Sequence, residues 1–257
     1  MPADLFDMKA RALRRDRAAR HGAELFLLER AFEDCLERLS LVNRRFSSAL
    51  LIGSPDPHWP ERLKRHSGTV EVVEPGALWA RACGTDSKAE DEWAPPAGAF
   101  NLAVAVGTLD TVNDLPRALA AVRHGLRPDS LFVGALMGGD SLPRLRQAMH
   151  AADLVTGAAT PRVHPRIEAA ALAPLLGTVG FVMPVVDVDR VRVSYSSFDA
   201  IVGDLRRMGA TNILSQRSRR PLSRVALQAA RHAFTPDGTP AVELFEILHF
   251  AAWTPAS

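Results

Sequence analysis

Four short apolar runs constrain this chain more than any other feature. They cover residues 48–53, 69–73, 100–106 and 131–137. Glycine or proline punctuates each one: Gly53 closes the first, Pro75 and Gly76 follow the second, Gly107 the third, and Gly138 and Gly139 the fourth. Runs this short and apolar read as buried strands. Between them lie stretches of helical spacing. Residues 23–42 carry Leu25, Leu28, Phe32, Cys35, Leu36, Leu39 and Val42 at three- and four-residue intervals, the apolar stripe of an amphipathic helix. Residues 59–66 and 77–82 predict short helices. Asn113 or Asp114 followed by Pro116 predicts a helix start, with Gly125 as its end. Asp140 or Ser141 is expected to cap a helix over residues 142–152. Strands alternating with helices at this spacing imply βαβ units and a mainly parallel sheet.

Residues 84–98 are polar and proline-bearing, a loop with at most a degenerate strand. The last hundred residues differ. They predict helices at 168–179, 198–208 and 223–233, an edge-like strand at 185–195 and an alternating final strand at 241–250. The expected organisation is a helical arm at 1–45, a Rossmann-like core at 46–139, and a helical lid with final strands at 140–257 completing the same domain.

The 257 residues give ample length for a core. Lys plus Arg, 31, barely exceeds Asp plus Glu, 29, so bulk charge makes no case for nucleic acid as a partner. Cys35 and Cys83 lack CxxC or Cys/His spacing, which predicts neither a disulfide framework nor a metal site. Cys35 lies on the helical stripe and is expected to be a small buried hydrophobe. No apolar run is long enough for a transmembrane span. The N-terminus carries Lys9, Arg11, Arg14, Arg15, Arg17 and Arg20, broken by Asp16; it matches a secretory signal poorly and a transit peptide little better. The expectation is a cytoplasmic protein, at most peripherally attached to a membrane. The basic arm reads as a solvated helix face, with an anionic partner or membrane surface as the alternative. Arg217, Arg219 and Arg220 read the same way: a solvated turn, or a grip for phosphate or an acidic partner. Asp56 and His58 lack a third metal ligand.

In open parallel sheets, ligands sit beyond the carboxyl ends of the strands. Gly53 ends the first strand and Glu74 the second, where a carboxylate accepts hydrogen bonds from a ribose diol. The acidic group Glu90, Asp91 and Glu92 stands where an adenine amino group is read, with Asp91 the chosen residue. Gly107 ends the next strand, beside the reactive end of such a cofactor.

The chain resembles class I S-adenosylmethionine-dependent methyltransferases. It is most similar to the subfamily of the biotin-synthesis carrier-protein methyltransferase and the methyltransferase-like assembly factor of respiratory complex I. The residues that carry the resemblance are an Arg-rich opening behind Phe6 and Asp7, then Val112 to Pro116, Leu126 to Asp129, Gly138 to Leu142, Pro161 to Val163, and above all residues 180–189, continuing to Tyr195, residues 204–206 and residues 208–212. The resemblance implies a Rossmann-like methyltransferase fold and S-adenosylmethionine held by Gly53, Glu74, Asp91 and Gly107. It implies a methyltransferase-type transferase acting on a protein or carrier-bound substrate. The alternative is a catalytically impaired pseudoenzyme that assembles complex I by binding one of its subunits. Relatives of the assembly factor are also implicated in arginine hydroxylation, so the fold alone does not fix the reaction. No catalytic residue is singled out.

The departures from the family pattern are concentrated in its first motif. Leu51 stands where an acid belongs, and Pro57 stands near the second glycine of the loop. Asp110 and Thr111 replace a His-Trp pair, and Asn101 replaces an aspartate. Proline has no N–H and fixes φ. Each lost charge-assisted hydrogen bond costs about 1.5–3 kcal/mol, so two weaken binding by roughly a hundredfold or more. Reduced cofactor affinity at the methionine end is therefore expected.

Overall fold

The computed structural model describes residues 4–157 and 159–256. The chain opens with α1 (Met8–Arg20) and α2 (Phe26–Leu41). The alternating core follows as β1 (Phe46–Ile52), α3 (Trp59–Leu63), β2 (Ser67–Val73), α4 (Ala77–Ala82), β3 (Phe100–Val106), α5 (Leu115–Gly125) and β4 (Leu126–Met137). Then come α6 (Pro143–Thr156), α7 (Ala169–Thr178), β5 (Val182–Tyr195), α8 (Phe198–Arg207), α9 (Arg224–Phe234) and β6 (Ala241–Trp253). One six-stranded sheet runs in the order β2-β1-β3-β4-β6-β5. β1 to β4 are mutually parallel, and β6 is antiparallel to both β4 and β5. This is the Rossmann-like methyltransferase architecture, and the strand order reverses between β1 and β3.

The apolar runs became strands because successive side chains bury on opposite faces of the sheet. Leu51 and Val104 join one buried cluster with α2, α3, α6, α8 and α9. Leu50, Ile52, Ala103 and Ala105 join a second with α5 and α7. The α2 stripe is anchored by Phe32, which is fully buried and stacks on Trp59 at 4.2 Å between ring centroids. Trp59 Nε1 also donates to Glu29 at 2.8 Å. Cys35 is buried as expected, and burial pushes its thiol pKa up to about 12. β5 is one of the two edges of the sheet, in accord with its partial alternation, and exposes Met183 and Val185.

Two local expectations need correction. Neither Asp140 nor Ser141 caps α6. Leu142 takes that position with φ 65, and the carboxylate of Glu243, reaching over from β6, accepts from the N–H groups of Arg144 at 3.1 Å and Leu145 at 2.8 Å. A remote acceptor satisfies helix-end donors as well as a local one. β4 also begins five residues early, at Leu126, with the irregular pairing Phe100↔Leu126 then Leu102↔Leu131. Pro128 and the positive φ of Asp129 sit in that bulge, where strands tolerate them. Residues 84–98 form no strand.

Candidate cofactor site

The reversal of strand order places the ends of β1 and β3 side by side. Gly53 follows β1 with φ 81, and a Cβ there would lie 2.3 Å from the Val106 carbonyl. Gly107 follows β3 with φ 69, and its Cβ would meet Leu28 Cδ2 at 2.5 Å. Only glycine allows both the conformation and the approach. The next loop folds on itself. Ser54 Oγ donates to the Asp56 carbonyl at 3.0 Å, and His58 N donates to Asp56 Oδ1 at 2.7 Å. Pro55 is buried, while Pro57 is exposed. Leu51 is fully buried in the core.

Glu74 stands at the end of β2, fully buried. Its carboxylate accepts four hydrogen bonds. Two come from backbone N–H groups, Gly76 at 2.7 Å and Ser54 at 2.9 Å. The other two come from Arg15, whose Nε and Nη2 donate to Oε1 and Oε2 at 2.7 Å each. The third nitrogen, Nη1, donates to the Gly107 carbonyl at 3.1 Å. The same guanidinium lies 4.7 Å from the centroid of the Trp79 ring. Arg15 thus ties the end of β2, the end of β3 and α4 to α1.

One helical turn earlier, Arg11 repeats the pattern on Glu90. The pair is bidentate at 2.6 and 2.9 Å, with both side chains buried. Arg11 also donates to the Thr108 carbonyl at 2.7 Å and to Thr111 Oγ1 at 3.0 Å. Burial alone raises a carboxyl pKa, but the guanidinium outweighs it and holds Glu90 below the usual range. Asp110 pairs with the buried Arg166. The two residues that replace the His-Trp pair are therefore both engaged, Thr111 by Arg11 and Asp110 by Arg166. Asn101 Oδ1 accepts from Ser48 N at 3.0 Å.

The Phe6–Asp7 opening is fastened to the site. Asn113 both accepts from Phe6 N at 2.8 Å and donates to Phe6 O at 3.1 Å. Asp7 caps α1 through Ala10 N at 2.9 Å and pairs with Arg217 at 2.8 Å. His164 packs edge-on to Phe6, and its Nε2 accepts from Ile213 N at 3.0 Å. That bond needs the unprotonated nitrogen, and burial pushes the His164 pKa down to about 4.

Gly53, Glu74 and Gly107 thus converge on one place, and Asp91 lies in the loop beside it. The acid engaged there is Glu90 rather than Asp91, whose buried Oδ1 has no hydrogen-bond partner. The solvated-face reading of the N-terminal basic run is corrected at two positions, since Arg11 and Arg15 are 3% and 5% exposed. Their four-residue spacing, on one face with Ala10 and Ala18, was the available signal. Their partners, 79 and 59 residues away, were not visible in the local pattern. Among the described residues no group of three or more His, Cys, Asp or Glu could hold a metal, and no helix is long and apolar enough to cross a membrane.

The residues fit S-adenosylmethionine in kind but not in this arrangement. Glu74, read as its ribose partner, and Glu90, the neighbour of the Asp91 read as its adenine partner, are each paired with an arginine of α1. A cavity of about 70 Å³ lies on the other side of these pairs, lined by Arg11, Arg15, Leu28, Gly107, His164 and Phe245 but not by Gly53, Glu74 or Glu90.

Comparison with known proteins agrees with the fold. A family model described as a methyltransferase domain matches residues 23–188. The arginine-hydroxylase NDUFAF5 of Danio rerio is 30% identical over 252 residues, covering 90% of this chain and 75% of the relative. The malonyl-[acyl-carrier protein] O-methyltransferase of Xylella fastidiosa is 32% identical over 152 residues, covering 58% of this chain and 50% of the relative. The N-methyltransferase NodS of Bradyrhizobium japonicum, solved with S-adenosyl-L-homocysteine, superposes with a TM-score of 0.52 at 15% identity, covering 96% of this chain and 99% of NodS. With the family match spanning well over half of its 257 residues, the chain belongs to the S-adenosylmethionine-dependent methyltransferases of class I, as a relative of NDUFAF5 and of the carrier-protein methyltransferases.

Proposed function

We propose that this chain acts on a protein partner, as an assembly factor of the respiratory complex I type, and that its resting form keeps S-adenosylmethionine out by placing α1 in the cofactor site. The observation that carries this is the engagement of both acids by one helix, Glu74 by Arg15 and Glu90 by Arg11. The likeness to NDUFAF5, which runs through 90% of the chain, supports a protein partner over a carrier-bound one. The likeness to the malonyl-carrier enzyme covers 58%.

In this reading the cofactor competes with α1 for two buried carboxylates. Exposing either guanidinium without replacing its partner leaves a buried charge, which costs about 3–5 kcal/mol. The first motif supplies little to offset that, because Leu51 cannot accept a hydrogen bond and Pro55 and Pro57 cannot donate one. Cofactor binding is weak, and partner binding is the working capacity of the fold. The working location is the cytoplasm, against a membrane-bound partner. Affinity capture with the tagged full chain from membranes of its own cells tests the partner. Co-purification of a complex I subunit supports the reading. Its absence, in a preparation where complex I is intact, counts decisively against it.

A further inference from the structure

A second cleft opens on the outer side of α1, where that helix meets α8 and the turn at residues 217–221. It is an open groove of about 480 Å³. Six arginines line it: Arg14, Arg17, Arg162, Arg206, Arg217 and Arg219. Two of these are compensated. Arg162 pairs with Asp153 at 2.9 Å and Arg217 with Asp7 at 2.8 Å. Arg14, Arg17, Arg206 and Arg219 make no ion pair among the described residues. Arg14 Nε is buried without any hydrogen-bond partner. Burial, then Arg17, Arg217 and Arg206, all disfavour its charge and lower its pKa. Like charges gathered in one cleft favour an anionic ligand there.

We propose that this groove docks an acidic peptide segment of a partner protein, whose Asp or Glu side chains enter between Arg14 and Arg206. Guanidinium forks match carboxylates in a planar, bidentate way. The arginines line a cleft rather than a flat face, so a carboxylate on a side-chain stalk enters between them where a flat anionic membrane does not. Met149 and Val202 give the groove an apolar floor, which suits a peptide with aliphatic residues between its acids. The described residues lining it include no aromatic ring on which a base could stack. The arms of the N-terminus and of residues 217–220 that the sequence offers as grips for an anion meet in this one place. Arg14 and Arg17 also belong to the helix that carries Arg11 and Arg15, so a docked segment holds the element that fills the cofactor site.

The inference rests on the reading that the chain engages a protein. Its test is independent of which protein that is. Fluorescence anisotropy of the full chain with a short labelled peptide of alternating Glu and Leu, at low salt, measures the binding. The comparison is with the Arg206→Glu/Arg219→Glu variant, both positions being exposed, and with Arg65→Glu, an exposed arginine beyond the opposite strand ends. Binding weakened at least tenfold in the first variant and unchanged in the second supports the groove, as does loss of binding when Gln replaces Glu in the peptide. Equal binding by all three proteins overturns it. So does absence of binding to the Glu peptide, or retention on phosphatidylserine vesicles in its place. A groove that binds the peptide while capture recovers no complex I subunit leaves this site standing and removes the proposed assembly role.

Discussion

Replacing Arg15 by Met and Glu74 by Gln, singly and together, probes the contact that ties α1 to the end of β2. The two side chains are 6% and 0% exposed. Arg15→Met leaves a buried carboxylate with two backbone donors, Gly76 and Ser54. Glu74→Gln leaves a buried guanidinium with the Gly107 carbonyl and the Trp79 ring. Each single change leaves one charge unmatched in the interior, at a cost of about 3–5 kcal/mol. The double variant leaves none, so its loss is far less than the sum, with a coupling of roughly 2–3 kcal/mol. Urea unfolding of the four proteins at pH 7, read by far-UV circular dichroism, gives the cycle directly. A coupling below about 0.5 kcal/mol, the ordinary scatter of independent sites, would refute the argument, because it would mean that Arg15 does not sit on Glu74 in solution.

Three further outcomes follow from the same structure. Glu243→Ala removes the acceptor for two N–H groups at the start of α6 and is expected to cost about 1–2 kcal/mol, the usual worth of a helix cap; a midpoint shift within error in urea unfolding would dismiss that role. His164 binds a proton less readily folded than unfolded, with its pKa moved from 6.5 to about 4. The unfolded state therefore takes up more protons between those values, and stability falls as pH drops through that window, by roughly 3 kcal/mol from this group; a His164→Gln variant with the same acid slope as the parent would contradict it. Cys35, buried with its thiol pushed up to about 12, should resist iodoacetamide at pH 8 while the half-buried Cys83 reacts, and mass spectrometry that finds Cys35 labelled first would overturn that ordering.

The fold was legible where a local rule decided it. β3 (Phe100–Val106) coincides with its apolar run, and α5 starts where Asp114, through Oδ1, accepts from Arg117 N at 2.9 Å. β4 extends beyond its apolar run because only the pairing of Leu126 with Phe100 draws Arg127, Pro128 and Asp129 into a bulged strand. The site was half legible. Glu74 could be placed from its strand end, and the loop at 54–57 marked where the chain departs from its family's first motif. The partners of Glu74 and Glu90 come from outside that loop. The arginines that engage Glu74 and Glu90 lie on a helix whose charges looked solvated, because periodicity reports which face is apolar but not which distant carboxylate a charged face meets. The pairing of Phe6 with Asn113, 107 residues apart, is long-range in the same way.

Calorimetric titration of S-adenosylmethionine into the full chain and into Arg11→Gln/Arg15→Gln, with near-UV circular dichroism confirming that both are folded, tests the central claim most directly. If α1 competes with the cofactor, the parent binds only at submillimolar concentration or weaker, and the variant, with Glu74 and Glu90 freed, binds at least tenfold more tightly. Micromolar binding by the parent that weakens in the variant would contradict the account, since it would make Arg11 and Arg15 ligands of the cofactor and not its rivals.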